Sequence, residues 1–435
     1  MLTYALAKTI GTRHVLTQHI TAHEAAALLR PGATVLIPGC AGESLLFAEA
    51  LKANPDACAG VRFLGVLIPG VNRTDYAAFH DTAHLTIFFA NPDIAPSVAA
   101  GKVDFLPLHF TGITPYLRER AKIDWAFIQV SPAMANGEHS IGIGADFVPS
   151  ILDVADRIVA HVNPNMPAVH DGPSVSASRL DYIVEEPHAL LQYDLGRVPD
   201  TMTNLGRNIA SLIGDGDTVQ IGLGKIQAAV LGPLHDRKNL RLHAGMISNP
   251  LREILEAGAF APRRAGERPP VTTGVALGTS EFYTFAGESP DISFRPVTHT
   301  HDINVLSEID NFVAINSAIE IDLLGQANAE MVRGRQVSAA GGLVDFMRGA
   351  RRSKGGRAVL ALASTTSDGK TTRIVPTLGP RTAVTCSRYD IDFIVTENGV
   401  ADLRDATPAR RAESLIGVAA PQFRDELGDA LASSL

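Results

Sequence analysis

Two halves of the chain contain similar segments in the same order, and this internal repeat most constrains the fold. Ala33–Gly39 (ATVLIPG) resembles Asp217–Gly222 (DTVQIG), and Asp124–Ile128 (DWAFI) resembles Asn311–Ile315 (NFVAI). The members of each pair lie roughly 185 residues apart, which is longer than the repeat of a solenoid. The repeat therefore indicates a duplicated domain with a site between the copies. Chance matching of short strand-like segments is the alternative.

Apolar strands alternate with helical segments inside each half. Trp125–Val130 (WAFIQV) is apolar at nearly every position, which is typical of a strand covered by helices on both faces. Such units in series predict an α/β fold with largely parallel sheets. We expect one domain at residues 1–185 and a second at 186–435, with Asn163–Asp200 as the connection. The segment His109–Leu117 (HFTGITPYL) is predicted to be a loop.

Composition excludes several classes of protein. The 435 residues are 46% hydrophobic and 19% charged, as in a folded enzyme, and the net charge of −8 argues against nucleic-acid binding. Three scattered cysteines, Cys40, Cys58 and Cys386, exclude a disulfide framework and favour a reducing, cytoplasmic location. No apolar run reaches the roughly 20 residues that span a bilayer. Met1–His14 lacks the apolar core of a signal peptide.

A strand, a glycine turn and a helix are predicted in succession near the middle of the chain. Thr218–Ile221 is the strand, Gly222 and Gly224 form the turn, and the helix begins at Ile226. Such a turn presents free backbone N–H groups at the positive end of a helix, which suits an anionic ligand. A second strand leads into His243–Met246 (HAGM), at a strand end where α/β proteins often place their chemistry. An ordinary strand-to-helix turn is the alternative interpretation, because a Gly-x-Gly turn alone is weak evidence.

Motifs distributed over roughly Ala22–Leu427 carry a more specific signal. They include VSPAMANGEHSIG (Val130–Gly142), HAGM (His243–Met246), INSAIEIDLLGQ (Ile315–Gln326), SAAGGLVDF (Ser338–Phe346) and VTENGVADLR (Val395–Arg404). Together they resemble the acetyl-CoA hydrolase/transferase family, which includes 4-hydroxybutyrate CoA-transferases. The resemblance implies two tandem CoA-transferase-like domains and coenzyme A or acyl-CoA as substrate, with a carboxylic acid as partner and no permanently bound cofactor.

The sequence departs from this family at the residue that performs its chemistry. Family members typically attack the thioester with the glutamate of a His-Thr-Glu-Met tetrad and form a glutamyl-CoA intermediate. Here the tetrad reads HAGM, so the position of the nucleophile is Gly245, which has no side chain. We therefore expect CoA transfer to a carboxylate, or thioester hydrolysis, without that intermediate. A CoA-binding protein without catalysis, such as a regulator or pseudoenzyme, is the alternative.

Three side chains are candidates for the chemistry that Gly245 cannot perform. His243 and His301 can activate water or orient an acceptor as neutral imidazoles. Glu281 follows a predicted strand and is expected at its end, facing the site. Plainer interpretations remain open: His243 belongs to the scaffold and Glu281 is a surface carboxylate. His299 and His301 would face one way on a strand and could form a pair of metal ligands. No third potential ligand lies at a spacing typical of a metal site, so no metal is expected.

Contacts with CoA are predicted at two glycine loops, where the absence of Cβ lets a ligand approach the backbone closely. The residues are Gly222, Leu223, Gly224, Lys225, Ile226, Gly341 and Gly342. A basic cluster at Arg348–Arg357 either contacts CoA phosphates or is a solvated loop. A homo-oligomer is compatible with the sequence, and the acyl group is not specified by it.

Overall fold

The computed structural model describes residues 17–264 and 266–433. The prediction for Met1–His14 lies outside the described residues. The described chain builds two eight-stranded sheets, one from each half, with helices packed on them. The predicted α/β fold with largely parallel sheets is confirmed.

The first sheet is parallel throughout. Both of its faces are buried, because Val35 and Ile37 pack into one apolar cluster while Leu36 packs into another. Val35 pairs with Phe63 on one side and with Trp125 on the other. In order across the sheet, the strands are Gln18–His19, Tyr182–Glu185, Arg157–Val162, Trp125–Val130, Thr34–Ile37, Arg62–Gly65, His84–Ile87 and Val103–Phe105.

The second sheet is also buried on both faces. Val313 and Ile315 pack on one face, and Phe312 and Ala314 pack on the other. All neighbours are parallel except the last pair, which is an antiparallel hairpin. In order across the sheet, the strands are Ile292–Phe294, Val271–Thr273, Arg241–His243, Thr218–Ile221, Phe312–Ser317, Arg357–Ala361, Phe393–Thr396 and Gly399–Asp402.

The sequence repeat has a structural counterpart in this strand order. Thr34–Ile37 and Thr218–Ile221 each lie fourth from one edge, with Trp125–Val130 and Phe312–Ser317 beside them. In both sheets the chain runs outward from the fourth strand to that edge and then returns to the other side. The opposite edge differs, because the first sheet ends in a parallel strand and the second in the hairpin.

Helices connect and cover the strands. In the first half they are Ala22–Ala27, Leu45–Ala53, Ala95–Ala99, Phe110–Glu119 and Val148–Leu152. In the second half they are Thr203–Ala210, Lys225–Leu231, Pro250–Glu256, Ser280–Glu288, Val297–Thr300, Ile303–Ser307, Leu343–Arg352, Pro408–Val418 and Arg424–Ala432. None of these helices in the described ranges combines the length and the apolar character needed to cross a bilayer.

Short strands form four further small sheets. The pairs are Glu138–Ser140 with Ser174–Ser176, Met246–Ser248 with Val275–Leu277, Met331–Val332 with Arg335–Gln336, and Glu320–Asp322 with both Ala327–Asn328 and Ile374–Val375.

One local prediction is wrong. His109–Leu117 is not a loop, because Phe110–Glu119 is a helix that buries Phe110, Ile113, Thr114 and Leu117. Burial of this face outweighs the cost of a proline inside the helix. The predicted connection Asn163–Asp200 contains one strand of the first sheet, since Tyr182–Glu185 pairs with Arg157–Val162. The domain boundary at 185/186 stays a prediction.

The two halves meet along a shared apolar core, and we call this boundary the seam. One buried cluster contains Phe147 from the first half and Phe294 from the second. The backbone N–H of Ala145 donates a 2.9 Å hydrogen bond across the seam to the carbonyl oxygen of Gly274. Apolar burial and backbone pairing therefore hold the halves in a fixed register at this point.

Asp146 places a buried carboxyl group at the seam. The residue is 7% exposed. Its Oδ1 accepts a 2.7 Å hydrogen bond from the backbone N–H of Phe147, and its backbone carbonyl accepts one of 2.8 Å from Val297. Burial raises the pKa of this carboxyl to about 7. The seam therefore holds a group that changes charge near neutral pH.

Asp146→Asn is expected to stabilise the fold increasingly as pH rises. Since the pKa is raised in the folded state, the stability that wild-type Asp146 contributes is complete below the unfolded pKa of about 4. It is lost as pH rises through the folded pKa of about 7. Asparagine does not ionise, so the variant does not lose this stability as pH rises. Its free energy of unfolding relative to wild type should therefore increase from near zero at low pH to the order of 4 kcal/mol above pH 7.

Urea unfolding of both proteins between pH 4.5 and 8.5 measures this difference. Asp56→Asn, at an exposed position, is the matched control and should show no such trend. A difference between wild type and Asp146→Asn that does not change with pH would contradict the assignment of Asp146.

Candidate active site

A cavity of about 240 Å³ opens at the seam, next to the carboxyl ends of two central strands of the second sheet. Thr218–Ile221 and Phe312–Ser317 supply Gln220, Asn316 and Ser317 to its lining. This is where open α/β sheets usually bind ligands. The complete lining is Ile68, Phe89, Phe110, Gln220, Gly222, Leu223, Gln227, Gly245, Met246, His301, Asn316, Ser317, Ala329, Ser338, Ala339, Ala340, Gly341, Gly342, Leu343 and Phe346.

Both predicted glycine loops contribute to this one cavity. Gly222 and Leu223 come from the first loop, and Gly341 and Gly342 come from the second. Gly341 has a φ of 56°, and a Cβ there would lie 3.3 Å from the ring of Phe89. A glycine is therefore required for this loop to pack against the first half.

Gly245 lies against the imidazole ring of His301. A Cβ built on Gly245 would lie 2.7 Å from Cε1 and 2.9 Å from Nε2 of His301. The φ of Gly245 is not in the left-handed region, so the ring, and not the backbone, is the obstacle to a side chain. A Cβ on Gly342 would lie 2.5 Å from the same Nε2. The imidazole thus occupies the space beside Gly245 into which a side chain would project.

Three neighbours fix the ring of His301, which is 2% exposed. Its Nδ1 lies 2.9 Å from Oγ1 of Thr300. The ring centroids of Phe110 and Phe346 lie 4.9 and 4.5 Å from that of His301. Burial lowers the pKa of His301 to about 3. The ring is therefore neutral at pH 7 and offers the cavity a polar atom without charge.

His243 lies outside the lining and supports the segment that carries His301. Its Nε2 lies 3.0 Å from the carbonyl oxygen of Thr300, and burial followed by the charge of His299 lowers its pKa to about 4. This geometry favours the scaffold interpretation of His243. The prediction that His299 and His301 share one face of a strand is wrong, because Val297–Thr300 is a short helix that begins after a proline.

Uncharged amides form a polar part of the lining that sequence reasoning missed. Nδ2 of Asn316 donates to Oε1 of Gln220 at 3.0 Å, and Nε2 of Gln227 donates to Oγ of Ser317 at 3.2 Å. Gln220 is 1% exposed. The sequence signal that could have indicated Gln220 is a polar residue inside a strand whose other positions are buried. A buried amide needs hydrogen-bond partners, and only the folded chain shows which residues these are.

The remaining predicted residues lie outside the lining. Glu281 is exposed in the first turn of helix Ser280–Glu288, where a carboxylate favours the helix dipole, and this fits the surface-carboxylate interpretation. Gly224, with a φ of 123°, precedes helix Lys225–Leu231 as its N-cap. Lys225 is exposed and Ile226 packs against an apolar cluster.

The basic cluster at Arg348–Arg357 is directed away from the cavity by its position on helix Leu343–Arg352. Leu343 lines the cavity at the start of that helix, whereas most of the basic residues are at its end or beyond it. Three of the arginines are paired with aspartates, namely Arg348 with Asp390, Arg351 with Asp392 and Arg357 with Asp217. These pairs favour a structural role for the cluster. Among the described residues, no group of three His, Cys, Asp or Glu side chains is arranged to hold a metal ion.

Comparison with known proteins assigns the chain. The acetyl-CoA hydrolase/transferase N-terminal domain matches residues 12–192, and the C-terminal domain of the same name matches residues 278–431. The chain belongs to the acetyl-CoA hydrolase/transferase family. Its named relatives include CoA transferases and acetyl-CoA hydrolases, consistent with an enzyme of this kind. The resemblance inferred from the motifs is confirmed.

Individual relatives in this family match nearly end to end. The 4-hydroxybutyrate coenzyme A transferase of Clostridium kluyveri is 34% identical, over 94% of this chain and 96% of that protein. The structure of RipA from Yersinia pestis superposes with a TM-score of 0.88 at 29% identity, covering 96% of this chain and 97% of that one. The 4-hydroxybutyrate CoA-transferase of Porphyromonas gingivalis gives a TM-score of 0.80 at 30% identity, covering 96% and 98%.

Gly245→Ala is expected to destabilise the protein by about 1–3 kcal/mol, because the new methyl group overlaps the ring of His301. Gly222→Ala is the matched control, since a Cβ there has no heavy atom within 4 Å. It should change the free energy of unfolding by less than about 0.5 kcal/mol. Most of the cost of Gly245→Ala should vanish when His301 is also Ala, as a double-mutant cycle in urea measures. Equal costs with and without the ring would contradict the steric relation.

Proposed function

We propose that this member of the family transfers CoA from an acyl-CoA to a carboxylate by direct attack, without a glutamyl-CoA intermediate. The observation that carries the proposal is Gly245, whose missing side chain is replaced in space by the imidazole of His301. Relatives named as CoA transferases, and the two glycine loops that share one cavity, support CoA as the carrier.

The lining offers no conventional replacement for the glutamate. Among the described residues that form it, none is Asp, Glu, Cys, Lys or Arg. Ser317 and Ser338 are present, but Oγ of Ser317 accepts from an amide. Neither hydroxyl forms a hydrogen bond to a histidine or carboxylate of the described residues. Since a serine nucleophile needs an adjacent base, the attacking group is best supplied by the second substrate.

A carboxylate acceptor can complete the reaction without proton transfer. One of its oxygens bonds to the thioester carbonyl carbon, the C–S bond breaks, and a mixed anhydride and CoA thiolate result. The thiolate then attacks the acceptor's carbonyl carbon, forming the new thioester and releasing the donor acid as a carboxylate. Water must lose a proton as it attacks, and the titratable side chain in the lining, His301, is a weak base because burial lowers its pKa to about 3. This difference favours transfer over hydrolysis.

A CoA-binding protein without turnover is the second candidate, and the same uncharged lining favours it. Steady-state kinetics with a panel of acyl-CoA thioesters and carboxylates separates the candidates. Transfer by direct attack predicts intersecting double-reciprocal lines and no enzyme–CoA adduct on trapping with hydroxylamine. Parallel lines with a trapped adduct would contradict the proposal. CoA binding by calorimetry without turnover of any thioester would support the second candidate instead.

Restoring the covalent route should require two substitutions. Gly245→Glu alone is expected to form no glutamyl-CoA, because His301 occupies the space that the new side chain needs. Gly245→Glu with His301→Asn provides both the carboxylate and room for it, and the trapped adduct should then appear. Intact-protein mass spectrometry after incubation with acyl-CoA measures both variants. An adduct in the single variant, with the ring of His301 still in place, would refute the steric argument.

The cytoplasmic location, a possible homo-oligomer and a small carboxylic acid as second substrate stay predictions. The acyl group is set by the shape and polarity of the cavity. Its aromatic walls, the amide pair of Gln220 and Asn316, and the amide–hydroxyl pair of Gln227 and Ser317 favour a short acyl chain that carries a polar group.

A further inference from the structure

We infer that His301 is a catalytic hydrogen-bond donor, whose neutral ring presents Nε2–H to the thioester carbonyl oxygen as negative charge develops on it. This inference rests on the proposed function, since it concerns the same cavity and the same attack. It differs from a general-base role, in which the ring would accept a proton.

Nε2 reaches the cavity because two glycines stand beside it. Cβ atoms on Gly245 and Gly342 would lie 2.9 and 2.5 Å from Nε2, so any other residue at either position would cover this atom. Both glycines line the cavity together with His301. Nδ1 forms a hydrogen bond with Thr300, whereas Nε2 forms none with the described residues. The free polar atom of the ring is thus the one beside the vacated side-chain position.

Thr300 determines which ring nitrogen carries the proton. Its hydroxyl has one hydrogen, and two acceptors are within reach: Nδ1 of His301 at 2.9 Å and the carbonyl oxygen of Pro296 at 3.4 Å. We place the hydroxyl hydrogen on the shorter contact, to Nδ1 of His301, so that the contact with Pro296 carries no hydrogen. A neutral imidazole that accepts at Nδ1 carries its hydrogen on Nε2. That tautomer places a donor in the cavity, whereas the opposite one, with Thr300 donating to Pro296 and accepting from Nδ1–H, would place an acceptor there.

The surroundings keep this donor neutral. Burial among aromatic rings disfavours the imidazolium, and His243 acts in the same direction. The opposing charge is Asp345, whose carboxylate raises the pKa of His301 but is already engaged by Thr111 and His109. The elements packed on the ring from the remaining sides supply Phe110, Phe346 and the two glycines, none of which is charged.

A neutral donor suits the charge changes of the attack. As the acceptor carboxylate bonds to the carbonyl carbon, the C=O electron pair moves to oxygen, and Nε2–H stabilises the resulting oxyanion. The pair returns as the C–S bond breaks, and the thiolate leaves with its electrons. The ring keeps its proton throughout. Preorganised donors of this kind are worth about 10²–10³-fold in rate, and a neutral histidine can serve as such an electrophile.

Two variants of different hydrogen-bonding capacity test the role. His301→Met fills the space without a donor and should lower kcat about 10²–10³-fold, with an unchanged Kd for CoA. His301→Gln keeps an N–H donor and should retain kcat within about tenfold of wild type. His299→Gln, a histidine outside the lining, is the matched control and should leave kcat unchanged. A Met variant as active as wild type would overturn the inference, while sequential kinetics in wild type would leave the proposed function intact.

The pH dependence separates the donor from a base. Wild-type kcat should show no titration of His301 between pH 5.5 and 8.5. An acidic limb that disappears in His301→Met would assign a base role instead. NMR of wild type with ¹⁵N-labelled histidine requires no variant to fold, and it should show His301 neutral with its hydrogen on Nε2 across this range. A hydrogen on Nδ1, or titration near neutral pH, would overturn the inference even if turnover is found.

Discussion

The packing of one imidazole between two glycines determines how this site is built. Because Gly245 and Gly342 lack Cβ, the ring of His301 can enter a space that any other pair of residues would close. Phe110 from the first half and Phe346 from the second enclose the same ring. The contact that shapes the cavity is therefore also a contact that joins the halves, so a change at position 245 affects both the chemistry and the seam.

Burial without charge is the second constraint, and it follows from the first. A ring enclosed by aromatic side chains and glycine backbone loses hydration, so its charged form is disfavoured and its pKa falls to about 3. The described lining contains no side chain with a fixed charge. A reaction that moves negative charge between oxygen and sulfur then depends on N–H dipoles, which act more strongly in a dry cavity than in water. Asp146 at the same seam shows the same effect, since burial raises its pKa to about 7.

Local sequence patterns were sufficient for the fold, whereas the arrangement of the site depends on distant contacts. The apolar segment Trp125–Val130 indicates a strand buried on both faces. In the structure it is a strand whose residues after Trp125 are all buried. Gly245 is recognisable from its motif. The contact between Gly245 and His301 cannot be recognised from the motif, because the two residues are distant in sequence. The helix Phe110–Glu119 was missed because a glycine and a proline lie inside it, and burial of its apolar face outweighs them. Glu281 does not face the site, because Thr279 caps a helix directly after the strand Val275–Leu277 and Glu281 is exposed in the first turn of that helix.

The central claim is that no enzyme carboxylate enters the reaction, and the path of the acceptor's oxygen tests it directly. The experiment is a single turnover with enzyme in excess, an acyl-CoA donor and a carboxylate acceptor labelled with heavy oxygen. Direct attack passes one labelled oxygen through the mixed anhydride into the released donor acid, and this is the predicted result. A glutamyl-CoA route would release an unlabelled donor acid and leave the heavy oxygen on a carboxylate of the protein, which would contradict the account.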